Sequence, residues 1–208
     1  MEVIPYKPPH PAGTAPRASS SFRSRPRALS DVELNRLRQS VIGRSFPEEA
    51  GPEQMLMMQR DQAIALVLIS TGVTLDETCA LDTKDVRKDA AGRFCVVAQR
   101  YHRVIPLESD TVKAVNRWLT LRQLVYRGQE FRALFITRRR ERITSVAVRN
   151  VLERLKVDSG VSFDSFALRH AFIRRRVQQG YSHDDISAML GRPSRGIIEM
   201  YAAGQREA

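Results

Sequence analysis

The side chains best suited to chemistry stand near the carboxyl end of the sequence. Arg169 lies at the head of an amphipathic helical pattern within Phe166-Ala167-Leu168-Arg169-His170, and Tyr201 lies at the end of a shorter pattern. Between them, Leu190-Gly191-Arg192 joins a second arginine to a glycine typical of a helix end. An arginine fork can hold the oxygens of a phosphodiester, and a tyrosine hydroxyl can attack the phosphorus. Packed helices that bring these residues together would therefore form a site for a nucleic-acid backbone.

The elements that must position these residues are mostly helical. A capping box, Ser30-Asp31-Val32-Glu33, begins the first predicted helix. Runs rich in Val, Ile and Phe predict a hairpin at 94–98 and 103–107, and a further short strand at 133–137. The predicted helices cover residues 30–41, 53–70, 75–81, 111–125, 144–156, 167–179, 183–190 and 195–202. The sequence therefore predicts a mainly α fold with a small antiparallel β-sheet, in the α+β class.

The charge balance favours a polyanionic partner. The 208 residues include 34 Lys and Arg against 23 Asp and Glu, a formal net charge of +11, and the pI is near 10.4. Arginine outnumbers lysine, which suits forked contacts to phosphate, so we expect double-stranded DNA as the partner. No apolar run reaches the roughly 18 residues of a membrane span, and no signal-peptide core opens the sequence. We therefore expect a cytoplasmic protein without a membrane partner.

The cysteines and histidines do not suggest a metal site. Cys79 and Cys95 stand in apolar surroundings and outside any Cys-x-x-Cys spacing, so we interpret them as small buried thiols of a reducing compartment. The four histidines lack the spacing of metal ligands. We therefore expect neither a metal nor a cofactor.

Residues 1–28 have the composition of a disordered basic arm. They are rich in proline, serine and arginine and contain a single acid, Glu2, so their apolar surface is too small to offset the entropy of ordering. Such an arm can lie along DNA through its charge, or it can be a solvated tail without a role of its own. One ordered domain is expected at 29–208.

A series of motifs, taken in order, resembles a known family. They are Thr71-Gly72, a helix end at Leu81-Asp82-Thr83-Lys84-Asp85-Val86, the strand Val104-Ile105-Pro106-Leu107, then Leu168-Arg169-His170, Leu190-Gly191 and Tyr201. Each motif is weak alone, but their order and spacing resemble the catalytic domain of the tyrosine recombinase, or phage integrase, family. The resemblance covers residues 29–203 and implies that domain's fold. It leaves no room for the separate N-terminal DNA-clamping domain, a layout similar to that of the small fimbrial phase-switch recombinases.

The resemblance also implies roles for three residues. Family members attack a DNA phosphate with a tyrosine, hold it with two arginines, move protons with a lysine and a histidine, and add a second histidine or tryptophan as a donor. Tyr201 stands at the position of the nucleophile, Arg169 at that of the second arginine, and Arg192 at that of the last donor. Fixed cations and donors are needed because negative charge gathers on the phosphate oxygens in the transition state.

Three other positions depart from the family pattern. The motif Thr-Gly-x-Arg-x-x-Glu ends here in Thr74-Leu75-Asp76-Glu77, so Thr74 replaces the first arginine. The lysine position falls near Ala98, and Phe166 replaces the first histidine. Because losing a single oxyanion donor typically costs about 100- to 1000-fold in rate, we expect a decayed catalytic site that still grips a phosphate.

Substitutes for the missing groups are available nearby. Arg100 and Arg103 flank the lysine position and could reach a phosphate, although a guanidinium does not give up its proton. Thr74 could donate one weaker hydrogen bond. Arg174 and Arg175, on the helix that carries Arg169, either contact DNA or belong to a solvated face.

The central residues also have purely structural interpretations. Arg169 could instead form an ion pair with Glu77, and Tyr201 could cover the core with its polar tip outward. His170 directly follows Arg169 and is better explained as a packed or hydrogen-bonded histidine than as a base.

Three functions are compatible with these residues. The preferred one is a DNA-binding protein with the recombinase fold and a decayed site, which takes part in DNA recombination or its regulation and either self-associates on DNA or joins a catalytically complete recombinase. The second is an active site-specific recombinase that forms a 3′-phosphotyrosyl link through Tyr201. The third is a protein- or RNA-binding module that keeps the fold, whose affinity for DNA would be weak and would depend little on salt.

Overall fold

In this computed structural model the described part of the chain comprises residues 29–98, 103–191 and 195–204. It contains eight α-helices, one short 3-10 helix (Thr83–Asp85) and one three-stranded sheet. The helices are α1 (Asp31–Ile42), α2 (Pro52–Thr71), α3 (Leu75–Ala80), α4 (Ser109–Val125), α5 (Ser145–Ser159), α6 (Ser165–Gln178), α7 (His183–Leu190) and α8 (Arg195–Gly204). The strands are β1 (Val86–Lys88), β2 (Phe94–Ala98) and β3 (Arg103–Pro106). The architecture confirms the predicted class, mainly α with a small antiparallel sheet.

Helix α2 forms the centre of the fold. Every residue from Gln59 to Thr71 is buried, and α1, α4, α5 and α6 all pack against this helix. The helix begins with Pro52 at its first position and ends at Gly72, whose left-handed backbone (φ 64°) turns the chain into α3. Gly72 has no room for a side chain, because an added Cβ would lie 3.0 Å from the ring of Phe172 on α6.

Three polar side chains within the buried stretch of α2 form hydrogen bonds to neighbouring elements. Arg60 donates to Asp61 Oδ1 at 2.7 and 2.9 Å and to the Ile136 carbonyl at 3.0 Å. Asp61 also accepts from Arg154 of α5 at 2.5 Å, and Gln62 donates to the Val41 carbonyl at the end of α1 at 2.8 Å. These bonds fix the positions of α1 and α5 against α2, which helps to define one side of the site described below.

The first helix begins as its sequence predicts. The Ser30 hydroxyl accepts from the Glu33 amide at 3.2 Å, and the Glu33 carboxylate accepts from the Ser30 amide at 2.8 Å. This reciprocal pair confirms the capping box. Helix α7 has the predicted bounds, and the other helix boundaries lie within three residues of prediction. Helix α5 extends to Ser159, where Gly160 ends it in a left-handed conformation (φ 65°).

The sheet contains one strand, β1, that the sequence does not predict. Strand β1 pairs with β2 in the register Val86 to Val96, and β2 pairs with β3 in the register Val96 to Ile105, both antiparallel. The predicted hairpin is therefore confirmed. Strand β1 was missed because its three residues, Val-Arg-Lys, are too few and too polar to show an alternating pattern.

The strand predicted at 133–137 is wrong. Only two isolated bridges occur in this segment, Asp82 with Ala133 and Ile136 with Arg142. Its carbonyls are satisfied by buried side chains instead: Trp118 Nε1 donates to the Leu134 carbonyl at 2.8 Å, and Arg122 donates to the carbonyls of Ala133 and Leu134 at 2.8 and 2.9 Å. Because these carbonyls already have partners, the segment packs in the core without joining a ladder.

Two further predictions concern the N-terminal arm and the absence of a membrane span. The arm at 1–28 lies outside the described residues, so its predicted disorder and contact with DNA stay predictions. Within the described part, no helix has both the length and the hydropathy needed to cross a bilayer.

Candidate phosphate-binding site

A cavity of about 560 Å³ opens between α3, α5 and α6. Its polar and charged walls come from the loop before α3, from α3 itself, and from the first two turns of α5 and α6. These lining residues are Thr74, Asp76, Glu77, Ser145, Arg149, Ser165 and Arg169. Phe166, also in the first turn of α6, lines the same cavity. The structure therefore brings together Thr74, Phe166 and Arg169, three positions to which the sequence resemblance assigns phosphate-handling groups.

Arg169 reaches the cavity from α6 and joins two helix ends. Its Nη1 donates to the Gly72 carbonyl at the end of α2, and its Nη2 donates to the Leu190 carbonyl at the end of α7, both at 2.7 Å. Burial lowers the pKa of its guanidinium, and the nearby Arg103 lowers it further, whereas the Glu77 carboxylate raises it. An arginine nevertheless keeps its charge in proteins. A cation at two helix carboxyl ends is favourable, and the N–H groups not used by these two carbonyls can serve a ligand in the cavity.

Thr74 is used by the backbone of α3. Its hydroxyl accepts from the Glu77 amide at 3.2 Å, and its own amide donates to Glu77 Oε2 at 2.9 Å, which is a complete capping box. The sequence suggested Thr74 only as a weak donor to phosphate. The hydroxyl proton is still available for that purpose, although a threonine side chain is shorter than the arginine that the resemblance expects here.

Arg103 lies inside the fold. Its side chain is only 2% exposed; Nη2 forms an ion pair with Glu77 Oε1, and Nη1 donates to the Met189 carbonyl of α7 at 2.9 Å. The ion pair between Arg169 and Glu77 that the sequence allowed is therefore not formed, because Glu77 pairs with Arg103. The geometry favours a structural role for Arg103, since a DNA contact would require its guanidinium to leave buried partners; the predicted contact stays untested.

Tyr201 on α8 lies against His170 on α6. The Tyr201 hydroxyl is 2.9 Å from His170 Nδ1, and the two rings meet edge to face with centroids 5.9 Å apart. Burial lowers the pKa of His170, against a raising effect of Asp164, so the neutral imidazole can accept the phenol proton. Burial also raises the pKa of Tyr201, an effect that Arg174 opposes. Tyr201 is not among the described residues that line the cavity.

The arginine run that follows Arg169 on α6 is occupied by intramolecular partners. Arg174 donates to Asp31 Oδ1 of α1 at 2.6 Å, and Arg175 pairs with Glu108 Oε1, before α4, at 2.8 Å. Arg176 is buried, with its guanidinium 4.9 Å from the Phe172 ring centroid. Contact of Arg174 or Arg175 with DNA stays a prediction, and it would have to compete with these carboxylates.

Two predicted contacts cannot be placed. Arg192 and Arg100 lie outside the described residues, so their roles stay predictions. Ala98, near which the resemblance places the lysine position, is buried on β2 opposite Arg103.

One cationic residue of the cavity was missed by sequence reasoning. Arg149 on α5 lines the cavity and is exposed, and its guanidinium has no ion pair or hydrogen bond to another residue within the described ranges. The apolar positions Val148, Val151, Leu152 and Leu155 mark the buried face of α5, so Arg149 stands at the edge of that face. This position at the edge of the buried face was the available sign that Arg149 could line a cavity. Glu153, four residues later, instead suggests an ordinary intrahelical ion pair with Arg149.

Comparison with sequence relatives agrees with the motif order. The phage integrase family model matches residues 52–207. Tyrosine recombinase XerC of Corynebacterium glutamicum is 26% identical over 198 residues, covering 89% of this chain and 64% of the relative. XerC of Thermodesulfovibrio yellowstonii is 26% identical over 159 residues, covering 74% of this chain and 53% of the relative. The chain therefore spans between about half and two-thirds of the length of these relatives.

Solved structures share the fold. The crystal structure of XerA recombinase superposes with a TM-score of 0.69 at 24% identity, covering 93% of this chain and 65% of that chain. XerH site-specific recombinase, bound to its difH substrate in a pre-cleavage complex, gives a TM-score of 0.69 at 19% identity, covering 88% and 51%. Since the family model matches well over half of the sequence, the chain belongs to the phage integrase family, that of the tyrosine recombinases.

Proposed function

We propose that this protein binds double-stranded DNA through backbone phosphates and takes part in recombination as an accessory or regulatory factor, with little or no strand cleavage of its own. The observation that carries the proposal is the lining of the cavity between α3, α5 and α6. Thr74 and Phe166 stand there at the positions of an arginine and a histidine, while Arg169 is retained. Such a cavity can attract a phosphate but lacks donors for the transition state.

The loss of donors outweighs what remains. Each missing oxyanion donor typically costs about 100- to 1000-fold in rate, although losses within one catalytic unit are not additive. Phe166 offers no hydrogen bond, and the Thr74 hydroxyl, which accepts from the Glu77 amide, can donate only one bond and carries no charge. Binding needs less, because a net charge of +11 attracts a polyanion without any catalytic alignment.

The contact between Tyr201 and His170 favours a second candidate, an active recombinase. A neutral imidazole 2.9 Å from the phenol could take its proton and activate it for attack. Two observations weigh against this candidate. Burial raises the pKa of the phenol, and the hydroxyl is hydrogen-bonded to His170, which does not line the cavity. Covalent chemistry therefore requires Tyr201 to leave His170.

One experiment separates the two candidates. Duplexes enriched by repeated selection for binding to the protein would be nicked, so that a cleaved end is trapped, then end-labelled and incubated with wild type or the Tyr201→Phe variant. The proposal expects a shifted complex on native gels from both proteins and no adduct on denaturing gels. A labelled adduct from wild type that is absent from Tyr201→Phe would establish the enzyme and refute the proposal.

Affinity as a function of salt tests the binding half of the proposal. Contacts to several phosphates predict that the affinity falls steeply between about 50 and 200 mM salt. If selection enriches nothing and the protein ignores duplexes even at low salt, the DNA-binding proposal fails, and a module that binds protein or RNA becomes the better account.

A further inference from the structure

We infer that Arg149 supplies the guanidinium that position 74 lacks, so that Arg149 of α5 and Arg169 of α6 together hold one DNA-backbone phosphate in the cavity. This inference rests on the proposed function and deepens it by naming a second phosphate ligand. The cation would come from a different helix than in the family motif, in which the first arginine stands at the start of α3.

The position of Arg149 is the first argument. Thr74 lies at one wall of the cavity, Arg149 at the wall formed by α5, and Arg169 at the wall formed by α6. Helices α3 and α5 are in contact, and the Ser145 hydroxyl at the start of α5 donates to Asp76 Oδ1 of α3 at 2.6 Å. That bond fixes the first turn of α5 beside α3, and Arg149 follows one turn later.

The free guanidinium of Arg149 is the second argument. Glu153, four residues later on α5, is its natural helical partner, yet Glu153 pairs with Lys156 at 2.7 Å. Arg154, on the same helix, is already held by Asp61 at 2.5 Å. Within the described ranges Arg149 has no such partner, so binding an anion would not require it to break an existing ion pair.

The charge of the cavity is the third argument. Its carboxylates are Asp76 and Glu77, but Glu77 is paired with Arg103. Arg103, which lies behind the cavity wall, offsets the charge of Glu77. Arg149 and Arg169 then face the single carboxylate of Asp76, which leaves one net positive charge. A phosphodiester carries one negative charge and would neutralise it.

The amino ends of α5 and α6 add to the positive charge of the cavity. Ser145 and Ser165 are the first residues of these helices, and both line the cavity. Neither helix has an acidic residue in its first turn, so the partial positive charge of each amino end is not neutralised from within. The Asp164 carboxylate, which caps α6 by accepting from the Ala167 amide at 2.7 Å, offsets part of the field at that end. Arg149 and Arg169 thus remain the main attraction for an anion.

The test compares two substitutions that remove the same charge. Arg149→Gln removes the guanidinium from the cavity, whereas Arg117→Gln removes an exposed guanidinium on α4 that does not line the cavity. Affinity for a labelled duplex selected on the wild-type protein would be measured by fluorescence anisotropy over a range of salt. We expect Arg149→Gln to bind about tenfold more weakly at low salt, with a salt slope shallower by about one. Arg117→Gln should change affinity by about twofold, a general charge effect.

A rescue distinguishes a phosphate ligand from a structural residue. Adding Thr74→Arg to Arg149→Gln returns a guanidinium to the same cavity from α3, and we expect it to restore at least half of the lost salt slope. Urea denaturation of each variant would check that the fold is intact. Equal effects of Arg149→Gln and Arg117→Gln, or the absence of rescue in a folded double variant, would overturn the inference.

The outcomes also separate this inference from the proposed function. If wild type does not bind the duplex at low salt, the proposed function fails before Arg149 is considered. If wild type binds with a steep salt dependence and Arg149→Gln behaves like Arg117→Gln, only the role of Arg149 fails.

Discussion

Replacing Arg169 with alanine should destabilise the fold as well as weaken any grip on phosphate. The guanidinium donates to the carbonyls of Gly72 and Leu190, both at 2.7 Å, at the carboxyl ends of α2 and α7. Alanine would leave both carbonyls without this donor and remove a cation from two helix ends at once.

The magnitude follows from the two bonds. A hydrogen bond to a charged group contributes about 1.5–3 kcal/mol, and the lower end applies because Arg169 is only partly buried. The expected loss is therefore about 3 kcal/mol, a large part of the roughly 5–15 kcal/mol that stabilises a typical domain. Arg169→Lys should lose about half as much, since one ammonium replaces the fork that reaches both carbonyls.

Urea denaturation followed by circular dichroism measures this loss. With a slope near 2 kcal/mol per molar urea, a loss of about 3 kcal/mol lowers the midpoint by roughly 1.5 M. The control is Arg175→Ala, which removes one partly exposed ion pair with Glu108. Glu108 keeps Arg38 as a partner, so this control should cost less than about 1 kcal/mol.

The result that refutes the reasoning is simple to recognise. If Arg169→Ala unfolds at the same urea concentration as wild type, the two carbonyl bonds do not stabilise the fold. If Arg175→Ala is as damaging as Arg169→Ala, the effect belongs to α6 in general and not to the bridge between α2 and α7.

Three further predictions concern single positions around the site. Gly72→Ala should cost about 2–3 kcal/mol by urea denaturation, because it adds a clash with Phe172 to the strain of a left-handed backbone. Gly160→Ala, with a similar φ and open space around it, should cost only about 1–2 kcal/mol. Equal costs would show that the clash does not contribute. Burial lowers the pKa of folded His170 below 6.5, so the unfolded chain binds its proton first and stability should fall as pH drops from about 6.5 towards that lower pKa. His170→Asn should lack this part of the pH dependence. Urea midpoints of both proteins at several pH values test this, and a constant difference between them would contradict the reasoning. Phe166 is 66% exposed, so Phe166→Ala should change the free energy of unfolding by less than about 0.5 kcal/mol, and a larger loss would show that the ring packs in the fold.

Local sequence signals predicted most of the helices because each signal acts within a few residues. The Ser30 and Glu33 capping box forms as expected, since both partners lie within one turn. Gly160 ends α5 in a left-handed conformation, although the predicted end fell earlier, where the apolar pattern of the helix stops. The family resemblance added the order of elements, which periodicity alone does not supply.

The partners of the charged residues could not be predicted in the same way. Arg174 finds Asp31, and Arg103 finds Glu77, across long stretches of sequence. A run of arginines looks like a solvated or DNA-facing surface until the fold brings carboxylates beside it. The segment at 133–137 failed for a related reason, because side chains of Trp118 and Arg122 from α4 satisfy its carbonyls.

The bridge that Arg169 makes between α2 and α7 has a consequence for reading other sequences of this family. A chain that stopped cutting DNA would still need a guanidinium wherever the same two carbonyls face it, since losing that guanidinium would threaten folding itself. Purifying pressure on this position can therefore come from architecture alone. Its retention is a poor marker of a working recombinase, and a position such as 166, whose side chain is 66% exposed here, is a more informative place to look.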